Sequence, residues 1–395
     1  MKDSDIVLAA PRRTAIGSFG GVFREVGAVD LSIAVMKSAV ESAGIDPVLI
    51  DDVIWGQAAQ RTRDQTNHAR VAALKAGIPD TTPGVTIHRV CVSGLWAIAQ
   101  GAQAIKAGDA SLILAGGTES YSTQPYVVDG ARWGGRLGGV ETSDPVLDGL
   151  HRIGVGPSMG LTAENLAEKH GLSREEQDEL ACLSQDRACR AIEAGRFRDE
   201  IVPVRVPRPR GEVAVVETDE GPRPGTTMEK LAKLPPAFKK GGTVTAGNSS
   251  TMNDAAAGIL VASGAAAKEM GLVPWARIRS HALAGVSPDV MGLGPVPATR
   301  KALEKAGLGI GDLELIEINE AFAAQYLAVE RELGLDRGIV NVNGGGISLG
   351  HPIGATGCRL VVSLLHEMRR RGLGLGLAAL CGGGGVGLAM VVECL

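Results

Sequence analysis

Two cysteines, one histidine and one asparagine stand in surroundings that favour chemistry. Cys91 follows the apolar run Val85 to Ile87 and precedes a helix-forming stretch that opens near Gly94. A thiol at such a turn feels the positive end of the helix and its unpaired N–H groups, which favour thiolate. A buried structural cysteine is the plainer alternative. Cys381 closes another apolar run and leads into Gly382-Gly383-Gly384-Gly385-Val386-Gly387. Consecutive glycines expose backbone N–H groups and admit a ligand, as an oxyanion site requires. His351, held between Gly350 and Pro352 before a further helix, has the fixed backbone of a general base. Imidazole ordinarily titrates near neutral pH, although a satisfied turn histidine fits the same residues. In Asn319-Glu320-Ala321-Phe322-Ala323 a polar pair ends a strand, where α/β sheets present functional groups; helix capping is the blander account.

Two other motifs are set aside. The glycines after Cys381 also fit GxGxxG, but a strand follows them instead of a helix. That excludes a dinucleotide fingerprint. Gly156-Pro-Ser158-Met-Gly160 satisfies GxSxG, the nucleophile elbow of serine hydrolases, which needs a buried strand just before it. The preceding Asp148-Gly-Leu-His-Arg-Ile-Gly-Val does not read as one.

The elements that must position these residues show a duplication. His88-Arg-Val-Cys91-Val-Ser-Gly94 falls on His351-Pro-Ile-Gly354-Ala-Thr-Gly357 at an offset of 263 residues, and Ala43-Gly44 through Ile54 falls on Ala306-Gly307 through Glu317 at the same offset. Each histidine segment is followed by a helical stretch and then a Gly-rich apolar strand. Alternating helices and strands with short connections imply an α/β layer structure in each half. The expected organisation is a first half over 1–121, completed by about 248–272, an inserted loop-rich module over 122–247, and a second half over 273–395. Within the insertion a helical stretch runs from Leu161 to Ala194, with start signals at Thr162 and at Ser173-Arg-Glu-Glu, a capping box.

Composition narrows the function class. The chain has 395 residues, 45% of them apolar and 21% charged, enough to bury a large core without a disulfide or metal staple. A net charge of −4 argues against a nucleic-acid binder and for a small-molecule partner. The uncharged stretch Gly372 to Val392 contains eight glycines, so it reads as strand, turn and strand instead of a membrane span. Six cysteines without metal-ligand spacing, and an N-terminus too short and acidic for a signal peptide, point to free thiols in the cytoplasm.

Taken together the motifs resemble the thiolase family. They include Arg13-Thr-Ala-Ile-Gly, Cys91-Val-Ser-Gly-Leu, Ala115-Gly-Gly-Thr-Glu-Ser, Met159-Gly-Leu-Thr-Ala-Glu-Asn and Gly242-Thr-Val-Thr-Ala-Gly-Asn-Ser-Ser, then Asn319-Glu-Ala-Phe-Ala, Gly350-His-Pro-Ile-Gly-Ala-Thr-Gly and Cys381-Gly-Gly-Gly-Gly-Val-Gly. The resemblance implies duplicated βαβαβαββ halves in a five-layer α-β-α-β-α arrangement with an inserted loop domain. It implies an acetyl-CoA C-acyltransferase acting on short 3-oxoacyl-CoA, with coenzyme A or acetyl-CoA as substrate, no permanent cofactor, no metal and no membrane or nucleic-acid partner. It also implies a homo-oligomer, a dimer of dimers.

By the same resemblance Cys91 carries the acyl group, His351 takes its proton, and Cys381 is the acid/base at the α-carbon. Asn319 holds a water that forms one oxyanion hole with His351; the N–H groups of Cys91 and Gly383 form the other. Arg223, Leu231, Phe238, Ala246 and Ser250 lie along coenzyme A, and Met159, Met291, Phe322 and Ser158 line the acyl pocket. The basic residues Arg205, Arg208, Arg210, Lys239 and Lys240 either attract the phosphates or form a solvated surface run. Ser158 stands where short-chain members carry His, Val92 where Gly or Ala is common, and Gly382 where a bulky aliphatic is usual; Trp96 is also unusual. The rivals are a β-ketoacyl synthase-like condensing enzyme, which would have His in place of Cys381, a Ser158 hydrolase, and a catalytically silent CoA-binding protein.

Overall fold

A computed structural model describes residues 1–60, 62–135 and 137–395. The first half supplies strands β1 (Ile6–Thr14), β2 (Asp52–Gly56), β3 (Gly84–Ile87), β4 (Leu112–Glu119) and β5 (Asn253–Ser263). The second supplies β6 (Ala276–Gly285), β7 (Leu315–Ile318), β8 (Leu375–Gly382) and β9 (Val386–Cys394). Their spatial order is β7-β8-β9-β6-β1-β5-β4-β2-β3. The strands β4, β2 and β3 are parallel to one another, as are β7 and β8, and the inner pairings are antiparallel. The halves meet through a short antiparallel pairing, Val7 with Arg277 and Leu8 with Ala276.

The offset read from sequence locates elements closely. Adding 263 to Asp52 and Leu112 gives Leu315 and Leu375, the first residues of β7 and β8. Gly44 and Gly307, its counterpart, both end helices in the left-handed conformation.

Period-two burial makes the layers. Leu112 and Leu114 face the outer helices α1 (Ala28–Ala43) and α2 (His68–Ala76), while Ile113 and Ala115 face inward. In β8, Leu377 and Ala379 join a core with α6 (Pro295–Ala306) and α7 (Ala323–Leu333), while Ala378 and Leu380 face inward. Two helices fill the space between, α3 (Ser93–Ala107) and α8 (Ile353–Arg371). This is the five-layer α-β-α-β-α arrangement. The segment 122–247 contributes α4 (Met159–His170), α5 (Arg174–Glu193) and small hairpins. The single helical stretch expected from Leu161 to Ala194 is therefore two helices. Gly171 ends the first in the left-handed conformation, and Ser173 starts the second with a capping box to Glu176. The first helix also opens earlier than Thr162, whose hydroxyl instead donates to the Met159 carbonyl. Among the described residues no helix is long and apolar enough to cross a membrane.

The inner helices touch backbone to backbone. A Cβ on Gly94 of α3 would lie 2.7 Å from the Gly354 carbonyl oxygen and 2.9 Å from the Cys358 nitrogen, both in α8. Neither can move aside as a flexible side chain would. Gly94→Ala is expected to lower stability by about 1–3 kcal/mol in urea unfolding, the usual cost of overpacking. Gly311→Ala, which meets nothing within 4 Å, is the control. Equal midpoints for the two variants would contradict this packing.

Candidate active site

The N-terminal ends of α3 and α8 deliver the chemistry to one cavity. Before α3 the chain makes a tight turn, with Val90 at φ 49°, a backbone conformation that strains a β-branched residue. Ser93 holds that turn. Its hydroxyl accepts from the Arg89 N–H at 2.8 Å and donates to the Val90 carbonyl at 2.6 Å. The turn places Cys91 on the cavity wall, and Val92 behind it is fully buried.

Before α8, His351 is fixed by two hydrogen bonds, with Asn319 lying beside its ring. Its N–H donates to Asn253 Oδ1 at 2.9 Å, its Nδ1 is 2.7 Å from Thr356 Oγ1, and the Asn319 amide nitrogen is 3.4 Å from Nδ1. The Thr356 hydroxyl donates to the Pro352 carbonyl at 2.9 Å, so it accepts from Nδ1–H. That assignment leaves Nε2 unprotonated and able to take a proton. Asn319 Oδ1 is buried without a protein partner, a site for one further hydrogen bond. Cys381 reaches the same cavity from the end of β8.

Burial sets the electrostatics. The Cys91 thiol is pushed up to about 11 by burial, against the lowering effect of N–H groups from Gly383 and from Cys91 itself. The helix-terminus effect expected from sequence to favour thiolate is therefore outweighed by desolvation. His351 is lowered to about 3, first by burial and then by the buried guanidinium of Arg359. It is neutral at pH 7, in contrast to the near-neutral titration expected of a free imidazole. Cys381 is pushed well above the ordinary thiol range by burial and by its neighbour Cys91.

The remaining walls are apolar. Met159, Phe238, Met291 and Phe322 line the cavity, and Phe238 meets Phe322 edge-on with centroids 5.9 Å apart. Ser250 lines it as well, and Gly383 faces it: a Cβ there would lie 3.3 Å from Met159 Sδ. Ser158 is half-buried at the residue before α4 and is not among the lining residues. The chain before it is turn and coil, so the strand a nucleophile elbow requires is absent among the described residues. Leu231 is buried in the second core, Ala246 is exposed, and Arg223 is exposed with its N–H donating to Gln185 Oε1 at 2.7 Å. Lys239 pairs with Glu168. Arg205, Arg208 and Arg210 sit on the hairpin formed by Val204–Pro207 and Val213–Val216, all three exposed.

Two of the unusual residues are neighbours. A Cβ on Gly382 would lie 3.5 Å from Val92 Cγ1 and 2.7 Å from Val386 Cγ1. The added bulk after Cys91 thus lies beside the bulk missing after Cys381. Trp96 stacks under Arg89, whose guanidinium carbon is 4.0 Å from the ring centroid.

Sequence reasoning missed Asn253, Thr356 and Ser93 as supports and Tyr121 and Ile353 as walls. Thr356 and Ser93 sit within the motifs around His351 and Cys91, so their polarity beside a reactive residue was a usable signal. Asn253 is distant in sequence and gave none.

Comparison with known proteins agrees with this architecture. The family model described as the thiolase N-terminal domain matches residues 6–265, and the thiolase C-terminal domain matches residues 272–394. The acetyl-CoA acetyltransferase of Pseudomonas aeruginosa is 55% identical over 389 residues, covering 98% of this chain and 99% of that protein. The crystal structure of the Bacillus anthracis acetyl-CoA acetyltransferase superposes with a TM-score of 0.96 at 50% identity, covering 99% of each chain. Human mitochondrial 3-ketoacyl-CoA thiolase in complex with CoA superposes with a TM-score of 0.96 at 44% identity, covering 100% of this chain and 98% of that one.

The resting pair at the cavity is a neutral thiol and a neutral imidazole. Alkylation of Cys91 by iodoacetamide, followed on its own peptide by mass, should therefore rise about tenfold per unit between about pH 8 and 10. A plateau reached below pH 8 would mean a preformed thiolate.

Proposed function

The chain belongs to the thiolase family, and on that footing we propose that it is an acetyl-CoA C-acyltransferase, joining and cleaving short 3-oxoacyl-CoA by reversible Claisen chemistry. The observation that carries the reading is the convergence of Cys91, His351 and Cys381 on one apolar cavity. In the cleavage direction His351 Nε2 accepts the Cys91 proton as the sulfur adds to the 3-oxo carbon. The bond between carbons 2 and 3 then breaks, Cys381 protonates the departing acetyl-CoA enolate, and Cys91 keeps the acyl group as a thioester. Incoming coenzyme A passes its thiol proton to the Cys381 thiolate and takes that acyl group, and the Cys91 sulfur leaves with the proton returned by His351. In the condensing direction His351 Nε2 accepts the Cys91 proton as the thiolate attacks acetyl-CoA, and coenzyme A departs with the proton of Cys381. The Cys381 thiolate so formed then removes an α-proton from a second acetyl-CoA, whose α-carbon attacks the Cys91 thioester; the Cys91 sulfur leaves and takes its proton back from His351.

Both neutral partners suit these transfers. A thiol that is costly to ionise in isolation passes its proton to an adjacent imidazole only as the sulfur attacks, so charge need not be held in the resting cavity. The N–H groups of Cys91 and Gly383 serve one developing oxyanion. A water held by Asn319 Oδ1, together with His351, serves the other. Coenzyme A enters past Ser250 and Phe238, with Leu231 and Ala246 along its path and Arg223 toward its adenine end. Cys381 in place of a histidine favours a thiolase over a β-ketoacyl synthase-like enzyme. The reading extends to a cytoplasmic homotetramer: Tyr126, Trp133 and Leu137 are largely exposed on the insertion and suit contact between copies.

Incubation with acetyl-CoA should add an acetyl mass to the peptide containing Cys91, and Cys91→Ala should abolish both this and turnover. Cys381→Ala should still become acetylated yet lose acetoacetyl-CoA cleavage by about 10²–10⁴-fold, the usual worth of acid/base assistance. Acetyl on Ser158 would instead establish the hydrolase.

A further inference from the structure

Glu119, the last residue of β4, is fully buried and takes no part in the reaction just described. Its Oε2 accepts from the N–H groups of Ala58 and Gly354, each at 3.1 Å, and its Oε1 accepts from the Ala59 N–H at 3.2 Å. These donors come from separate places. Ala58 packs with Cys91 against the small cluster of Tyr121, Val146 and Ile353. Gly354 lies in the first turn of α8, three residues after His351. That helix begins after Pro352, which offers no side-chain cap. A carboxylate from the other half therefore supplies the acceptor that its own flank lacks, where the helix dipole also favours negative charge.

The rest of Gly354 is equally constrained. A Cβ on it would lie 2.2 Å from the Thr118 carbonyl, and its own carbonyl would be 2.1 Å from a Cβ on Gly117. The Gly354 N–H is thus held by Glu119 and its carbonyl by close backbone contact. At the position equivalent to Glu119 in the second half stands Gly382, which opens the glycine loop. The duplication has become a lock on one side and an opening on the other.

We propose that Glu119 is a positioning residue whose carboxylate caps α8 across the two halves and holds the His351 turn in register with the Cys91 turn. What that register serves rests on the thiolase reading above. The groups facing Glu119 are Cys91, Tyr121 and Asp254. Burial, opposed by the three N–H groups, leaves the carboxyl titrating at about 7, and Asp254 adds to the rise. Protonation turns one acceptor oxygen into a donor facing N–H groups, so the cap weakens as pH falls through 7.

The test is Glu119→Gln, which keeps the shape and removes the charge. Cleavage of acetoacetyl-CoA should show kcat lowered about tenfold to a hundredfold, the scale of a small misplacement, with KM within about twofold. The parent's kcat should rise through about pH 7 and the variant's should not. Amide hydrogen exchange in residues 353–356 should be faster in the variant. Unchanged kcat, pH profile and exchange would overturn the proposal. So would a lowered kcat that kept the parent's limb near pH 7. If Glu119→Gln does not fold, Asp254→Asn decides: the limb should persist in it, and its loss would assign the limb to Asp254 and overturn the proposal. Failure of the thiolase reading shows separately, as a parent that takes no acetyl group from acetyl-CoA, and the exchange measurement judges the cap without it.

Discussion

The site depends on two buried helices meeting end against end. The helices α3 and α8 occupy the middle layer, and their N-terminal turns come so close that Gly94 and Gly357 have no room for side chains. Small residues at the crossing let backbones approach, and the approach brings two turns from different halves onto one cavity. Cys91 comes from one turn and His351 from the other. A wider crossing would leave each half with part of a site. The high glycine content, 55 of 395 residues, is thus partly a requirement of geometry.

Burial that makes the crossing also sets the chemistry. Desolvation keeps both cysteines protonated and His351 neutral, so the cavity holds no full charge on its reacting groups at rest. The charges that remain are placed behind the site. Arg359 is buried within α8, 3.3 Å from Glu317, and its positive charge adds to the lowering of His351. Glu317 in turn is raised by burial, against the pull of Arg359. Such pairs add little to stability, since desolvation offsets their attraction. Here the effect of Arg359 is electrostatic, on a residue eight positions earlier, just before the helix begins.

Much of this was legible in the chain. The constant offset between His88 and His351 located strands in both halves, because a duplicated fold preserves spacing wherever insertions would break a buried layer. Cys91, His351 and Cys381 were visible because each sits where a strand or turn meets small residues. The ionisation state was not legible. Local context at Cys91 showed a helix start, which lowers a thiol's pKa, but not the protein that surrounds it and raises it more. Nor could spacing reveal Asn253, which holds the His351 backbone from 98 positions away. Ser158 shows the converse limit: a complete motif beside α4 had no strand to support it.

On the proposed reading, two cysteines share one cavity but divide the work, Cys91 holding the acyl group and Cys381 moving the α-proton. The most direct measurement is deuterium uptake into the methyl group of acetyl-CoA, incubated with the protein in heavy water without a second substrate. Uptake is expected with the parent, and its loss in Cys381→Ala while that variant's Cys91 remains acetylated. Undiminished uptake in Cys381→Ala would contradict it, because some other group would then be the base at the α-carbon.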